Sequence, residues 1–138
     1  MGKTLVYYLD KFTNVNHQEI AAKLIEAGRS WNVVINLDKF TELAHREIAK
    51  KLIETGEGAT VAHYLNKFIG LNHQEVVTQL IEAGQGADAV AYLDKFTGLN
   101  HQEIAIKLIE MGKGVAVTAN LAKFPHLSWS AVYDHIFQ

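Results

Sequence analysis

The 138-residue chain contains no cysteine, which excludes disulfides, thiolate nucleophiles and cysteine-ligated zinc. It has one proline, Pro125, so helix interiors are almost free of the residue that removes a backbone donor. No apolar run approaches the ~20 residues of a bilayer span, and the N-terminus lacks a secretory signal pattern. A soluble, intracellular, cytoplasmic protein is expected, with delivery into another cell left open. A net charge of −2 gives no general attraction to nucleic acid or to anionic membrane. With 49% hydrophobic and 20% charged residues, the composition is that of a globular protein.

What the chain does have is a repeat of 28 residues. Leu-Asp-Lys-Phe begins at Leu9, Leu37 and Leu93, with Leu-Asn-Lys-Phe at Leu65 and Leu-Ala-Lys-Phe at Leu121. A second block keeps the same spacing: Asn16-His17-Gln18-Glu19, Ala44-His45-Arg46-Glu47, Asn72-His73-Gln74-Glu75 and Asn100-His101-Gln102-Glu103. A period of this length signals stacked repeats and draws attention to an extended surface built from equivalent positions.

Each copy reads as two short helices. Asn72 can cap a helix start while Glu75 reaches back, and Val76, Leu80 and Ile81 then form one buried face. Gly84 ends this first helix in a left-handed cap. A second helix carries Ala89, Leu93 and Phe96 at i, i+4 and i+7, and Gly98 ends it. The same stripe returns as Val33-Leu37-Phe40, Val61-Leu65-Phe68 and Val117-Leu121-Phe124. Helices this short are marginal alone in water. They are therefore expected to stack as αα-hairpins into an all-α fold, an α-solenoid with a right-handed superhelix.

One repeat domain is expected over residues 1–138. It comprises a partial N-terminal helix at 1–8, repeats at 9–36, 37–64, 65–92 and 93–120, and a C-terminal capping segment at 121–138. That last segment gains Trp129, Tyr133 and Phe137, as terminal repeats often do when they close a core. The N-terminal end reads as cut, so a piece of a longer array, or an engineered array, is expected.

Comparison of the copies separates scaffold from free positions. They differ most from the first turn into the second helix: Arg29-Ser30-Trp31, Glu57-Gly58-Ala59, Gln85-Gly86-Ala87 and Lys113-Gly114-Val115. This edge is the candidate binding face, with Arg29, Trp31, Glu57, His63, Gln85, Asp88 and Lys113 as its expected partner-binding residues. Arg29, Trp31, Tyr64 and Tyr92 are residue types that anchor interfaces.

Other recurrences have plainer readings. His17, His45, His73 and His101 lie on successive helices about 8–10 Å apart, too far to share one zinc with ~2 Å bonds. They read as polar side chains near helix starts, and no metal is expected. Lys11, Lys39, Lys67, Lys95 and Lys123, with Lys23, Lys51 and Lys107, alternate with carboxylates and read as solvated faces. Ser128, Ser130, Asp134 and His135 match no nucleophile motif. No enzyme activity, cofactor or small-molecule substrate is expected.

The segment Ile81-Glu82-Ala83-Gly84-Gln85-Gly86-Ala87-Asp88-Ala89-Val90 resembles the DNA-binding repeats of transcription activator-like effectors and their bacterial relatives. In that family a glycine-marked loop between two helices holds the base-reading residue. The resemblance implies Arg29, Glu57, Gln85 and Lys113 at the reading position. The copies here are shorter, lack that family's second-helix proline and carry Asp88 and Thr60 near the loop. The expected partner is accordingly a protein, with DNA as the alternative.

Overall fold

The computed structural model describes residues 17–137, so the expected partial helix at 1–8 and the first Leu-Asp-Lys-Phe block lie outside the described residues. Among these residues are nine α-helices and no strand. The first helices of the pairs are α1 (His17–Glu26), α3 (Glu42–Glu54), α5 (His73–Glu82), α7 (His101–Glu110) and α9 (Trp129–Ile136). The second helices are α2 (Ser30–Val34), α4 (Gly58–His63), α6 (Gly86–Ala91) and α8 (Gly114–Thr118). The chain divides into two compact units, Met1–Leu71 and Asn72–Gln138, with α1–α4 in the first and α5–α9 in the second.

Within the units α1, α3, α5 and α7 each pack on their own second helix. Successive first helices also pack together, α1 on α3 in the first unit and α5, α7 and α9 in order in the second. The result is an all-α fold of repeated, adjacently packed helix pairs. The first unit buries Leu24, Ile25, Val33, Leu37, Phe40, Leu52, Ile53, Val61, Leu65 and Phe68. In the second unit Val76, Leu80, Ile81, Ala89, Leu93, Phe96, Ile104, Leu108 and Val117 take the same roles. Each fully buried large side chain contributes about 1.5–3 kcal/mol, which helices of five to thirteen residues require because they are too short to persist alone.

The second helix departs from the expected continuous stripe. Its α-helical part ends before the Leu-x-Lys block, which forms a single 3₁₀ turn at Leu37–Lys39, Leu65–Lys67, Leu93–Lys95 and Leu121–Lys123. Lys95 N–H donates to Tyr92 C=O at 2.9 Å and Phe96 N–H to Leu93 C=O at 3.2 Å. In a 3₁₀ turn side chains at i and i+3 eclipse, so Leu93 and Phe96 enter the core side by side. That arrangement explains why the leucine and phenylalanine recur together.

The helix starts follow their caps. Asn72 Oδ1 accepts from Glu75 N–H at 3.0 Å, Asn100 Oδ1 from Glu103 N–H at 3.1 Å and Ser128 Oγ from Ala131 N–H at 3.3 Å. The reciprocal half of the expected capping box comes from elsewhere in the second unit. Asn100 N–H donates to Gln74 Oε1 at 2.8 Å and Ser128 N–H to Gln102 Oε1 at 2.9 Å. A glutamine on the preceding first helix thus satisfies the cap residue of the next.

The second copy starts early. Gly70 and Gly98 hold φ of +72° and +65° just before the other helix starts, a conformation that glycine adopts without strain. Glu42 stands at the equivalent place, and Ala44 replaces the capping asparagine. The helix therefore begins at Glu42, capped by Thr41 Oγ1, which accepts from Ala44 N–H at 3.2 Å. Ala44 and His45 consequently lie inside α3, where the sequence pattern had placed them at its start.

In the C-terminal segment Val132 is buried, whereas Trp129, Tyr133 and Phe137 are exposed. Helix α9 covers α7 with one side and presents its large aromatic residues on another.

Candidate functional site

The variable edge begins at a turn of one fixed geometry. Gly28, Gly56, Gly84 and Gly112 take φ between +77° and +87°. The next residue's N–H reaches back five residues: Arg29 to Leu24 C=O at 2.8 Å, Glu57 to Leu52 at 2.7 Å, Gln85 to Leu80 at 2.8 Å and Lys113 to Leu108 at 2.7 Å. Each glycine N–H meanwhile donates three residues back, to Ile25, Ile53, Ile81 or Ile109. This is a Schellman motif, which satisfies the last carbonyls of the first helix.

Arg29, Glu57, Gln85 and Lys113 consequently share one backbone conformation. Their φ values run from −106° to −112° and their ψ values from 31° to 35°. Their backbone donors are satisfied internally. Arg29 and Lys113 project as exposed side chains, and Glu57 and Gln85 are half-buried. Four chemically different side chains therefore leave four equivalent platforms, two in each unit.

Trp31 lies two residues beyond Arg29 and is 49% exposed. Its counterpart in the fourth copy, Val115, is also exposed. Asp88 is half-buried on the first turn of α6. His63 ends α4, about 9 Å along that helix from Glu57, and lies edge-on to Tyr64 with ring centroids 4.8 Å apart. Tyr92 has Lys95 Nζ 5.2 Å from its ring centroid. In the first unit Arg29, Trp31 and Glu57 belong to one neighbourhood, whereas His63 stands at the far end of its helix.

Two features of this edge escaped the sequence reading. Ser30 Oγ donates to Glu57 Oε2 at 2.6 Å, so Glu57 fastens one turn to the next. The signal lay in the copies: serine replaces the usual glycine at 30 where the following turn carries glutamate. The second feature is Asn32, equivalent to Asp88, which is buried with neither amide atom hydrogen-bonded.

The histidine recurrence is structural. His17, His45, His73 and His101 meet Phe40, Phe68, Phe96 and Phe124 edge-on, with centroids 5.5–6.4 Å apart. His45 Nδ1 and His73 Nδ1 also accept the N–H groups of Ile69 and Thr97, both at 2.9 Å. At the same offset from His101 stands Pro125, which has no N–H to give. Burial, and then the nearby His126, hold the His101 pKa below its ordinary value. Among the described residues no three of His, Asp and Glu gather as metal ligands.

Three of the recurring lysines are engaged as well. Lys51 pairs with Glu26 at 2.6 Å and Lys107 with Glu82 at 3.0 Å. The hydrogen bond to Lys51 holds the Glu26 carboxyl below its ordinary pKa, and the same bond raises that of Lys51. Lys123 Nζ donates to Val90 C=O and Ala91 C=O, both at 3.0 Å, capping the end of α6. These lysines join successive copies, Lys51 and Lys107 by pairing with carboxylates and Lys123 by capping carbonyls.

Among the described residues no helix is long and apolar enough to cross a membrane. Compared with known proteins, the chain matches no family model, no curated protein and no solved structure.

Proposed function

We propose that the chain is a non-catalytic α-solenoid whose helix pairs continue in one right-handed superhelix and bind a protein along the variable turn edge. One observation carries this reading: Arg29, Glu57, Gln85 and Lys113 differ in chemistry but leave the backbone in the same conformation. A scaffold that fixes geometry and varies side chains is suited to recognition through an extended surface. The exposed Trp31, two residues along the chain from the exposed Arg29, adds two residue types that dominate protein interfaces.

Recognition of DNA is the second reading, favoured by the single variable residue that each glycine turn presents. Several features weigh against it. Lys51, Lys107 and Lys123 are already paired within the fold, Glu57 and Asp88 would repel phosphates, and nucleic-acid affinity depends on free cations.

The test is photocrosslinking from positions 31 and 113, followed by titration of the recovered partner against alanine variants. Arg29→Ala and Trp31→Ala are each expected to weaken binding about tenfold or more. Unchanged binding by both, and by Gln85→Ala and Lys113→Ala, would reject the edge. A salt-sensitive shift of duplex DNA that Arg29→Ala and Lys113→Ala abolish would transfer the function to nucleic acid.

A further inference from the structure

The last junction, between α7 and α9, departs from the repeat at three positions. His45 Nδ1 and His73 Nδ1 receive the N–H groups of Ile69 and Thr97, but His101 meets Pro125 at that offset, which has no N–H. Its Nδ1 can therefore take a proton without breaking such a bond. Gly70 and Gly98 hold φ of +72° and +65°, and His126 stands in their place at +62°. Among the described residues it is the only non-glycine with a positive φ, a conformation that a Cβ strains. Lys51 and Lys107 reach back to Glu26 and Glu82, and His135 takes their place against Glu110 at 3.1 Å.

We propose that residues 125–128 form a proton-operated catch, which holds the first turn of α9 on α7 while His101 and His126 are neutral and releases it when both are charged. The hold is a double hydrogen bond. Ser128 N–H donates to Gln102 Oε1 at 2.9 Å, and Gln102 Nε2 donates to Ser128 C=O at 3.0 Å. Ser128 Oγ in turn caps α9 at Ala131 N–H. His101 precedes Gln102 in the chain and His126 stands two residues before Ser128, so both charges arise beside the clasp. Charging His101 costs hydration at a partly buried site and sets it against the like charge of His126.

The other ionisable groups on the elements packed against α7 are engaged or distant. On α5, His73 is held by Thr97, Glu75 by Gln79 and Glu82 by Lys107. On α7, Glu103 accepts from Gln74 and Glu110 pairs with His135. Helix α8 carries no ionisable residue, Lys123 caps carbonyls of α6, and Asp134 stands about 9 Å along α9 from Ser128. His135 gains charge on acidification and pairs more tightly with Glu110, so release is confined to the first turn and α9 pivots on its last. The catch is closed above the ordinary histidine value of 6.5 and opens as pH falls through the lower value of His101.

Amide exchange of the full chain tests this, read by NMR as protection factors at about pH 7.5 and about pH 5. Ser128 and Ala131 are expected to lose about tenfold in protection, the equivalent of one pKa unit. Glu103, whose N–H is capped in the same way by Asn100, is expected to keep its value. His126→Gly removes the charge and the strain together and fits the turn as Gly98 does, so it is expected to abolish the loss. His135→Gln is expected to leave the loss in place. No loss in the parent, equal loss at Glu103, undiminished loss in His126→Gly, or abolition by His135→Gln would each overturn the proposal.

Discussion

The Ile69 N–H donates to His45 Nδ1 at 2.9 Å, while the other ring nitrogen of His45 lies 2.7 Å from the Leu37 carbonyl. With Nε2 protonated and Nδ1 bare, the neutral ring satisfies both contacts at once. A buried imidazole thus joins two segments separated by a full repeat, which gives the recurring histidine a structural role.

His45→Ala is expected to destabilise the chain by about 2–4 kcal/mol, because it removes two hydrogen bonds and leaves a gap beside Phe68. His101→Ala is expected to cost less, since Pro125 offers no equivalent N–H. Urea unfolding of the two variants side by side checks the order.

The pKa of His101 carries a pH dependence. Burial and the neighbouring His126 lower it in the folded state, so the unfolded chain binds the proton more readily. Its contribution to stability is complete above the ordinary value of 6.5 and is lost as pH falls through the folded pKa. Between pH 7.5 and pH 5 the melting temperature of the parent is expected to fall further than that of His101→Ala. Thermal melts at matched ionic strength measure the difference.

Ser30 and Glu57 are expected to be coupled by about 0.5–1.5 kcal/mol in a double-mutant cycle of Ser30→Ala and Glu57→Ala. Additive effects of the two substitutions would show that the 2.6 Å contact contributes nothing.

Asn32 should be a site where substitution stabilises. Its buried amide has no hydrogen-bond partner, and a leucine of similar shape removes that penalty. Asn32→Leu is expected to raise stability by about 1–2 kcal/mol, read as a higher urea midpoint with an unchanged slope.

Much of this fold was legible because its signals are local. Gly28, Gly56, Gly84 and Gly112 mark left-handed caps, and Asn72 and Asn100 mark helix starts, since each acts within one turn of backbone. What escaped depends on neighbours in space. The 3₁₀ turn at Leu93–Lys95 arises from burying Leu93 and Phe96 together, and the early start of α3 follows from Glu42 standing where other copies have glycine. Gln74 and Gln102 cap helices 26 residues away, beyond any local motif. The edge itself was visible as variation among copies. The engagement of Glu57 by Ser30 was not, because a carboxylate in a turn reads as free until its partner is placed beside it.

The proposed role of the turns is to present side chains for recognition while the rest of each copy keeps the scaffold. Its most direct test is a partner titration with the combined variant Arg29→Ala, Trp31→Ala, Gln85→Ala and Lys113→Ala, which leaves the structural Glu57 intact. The expected result is a folding stability within about 1 kcal/mol of the parent together with a loss of partner affinity of about 100-fold or more. Parent-like affinity in a correctly folded variant would contradict it.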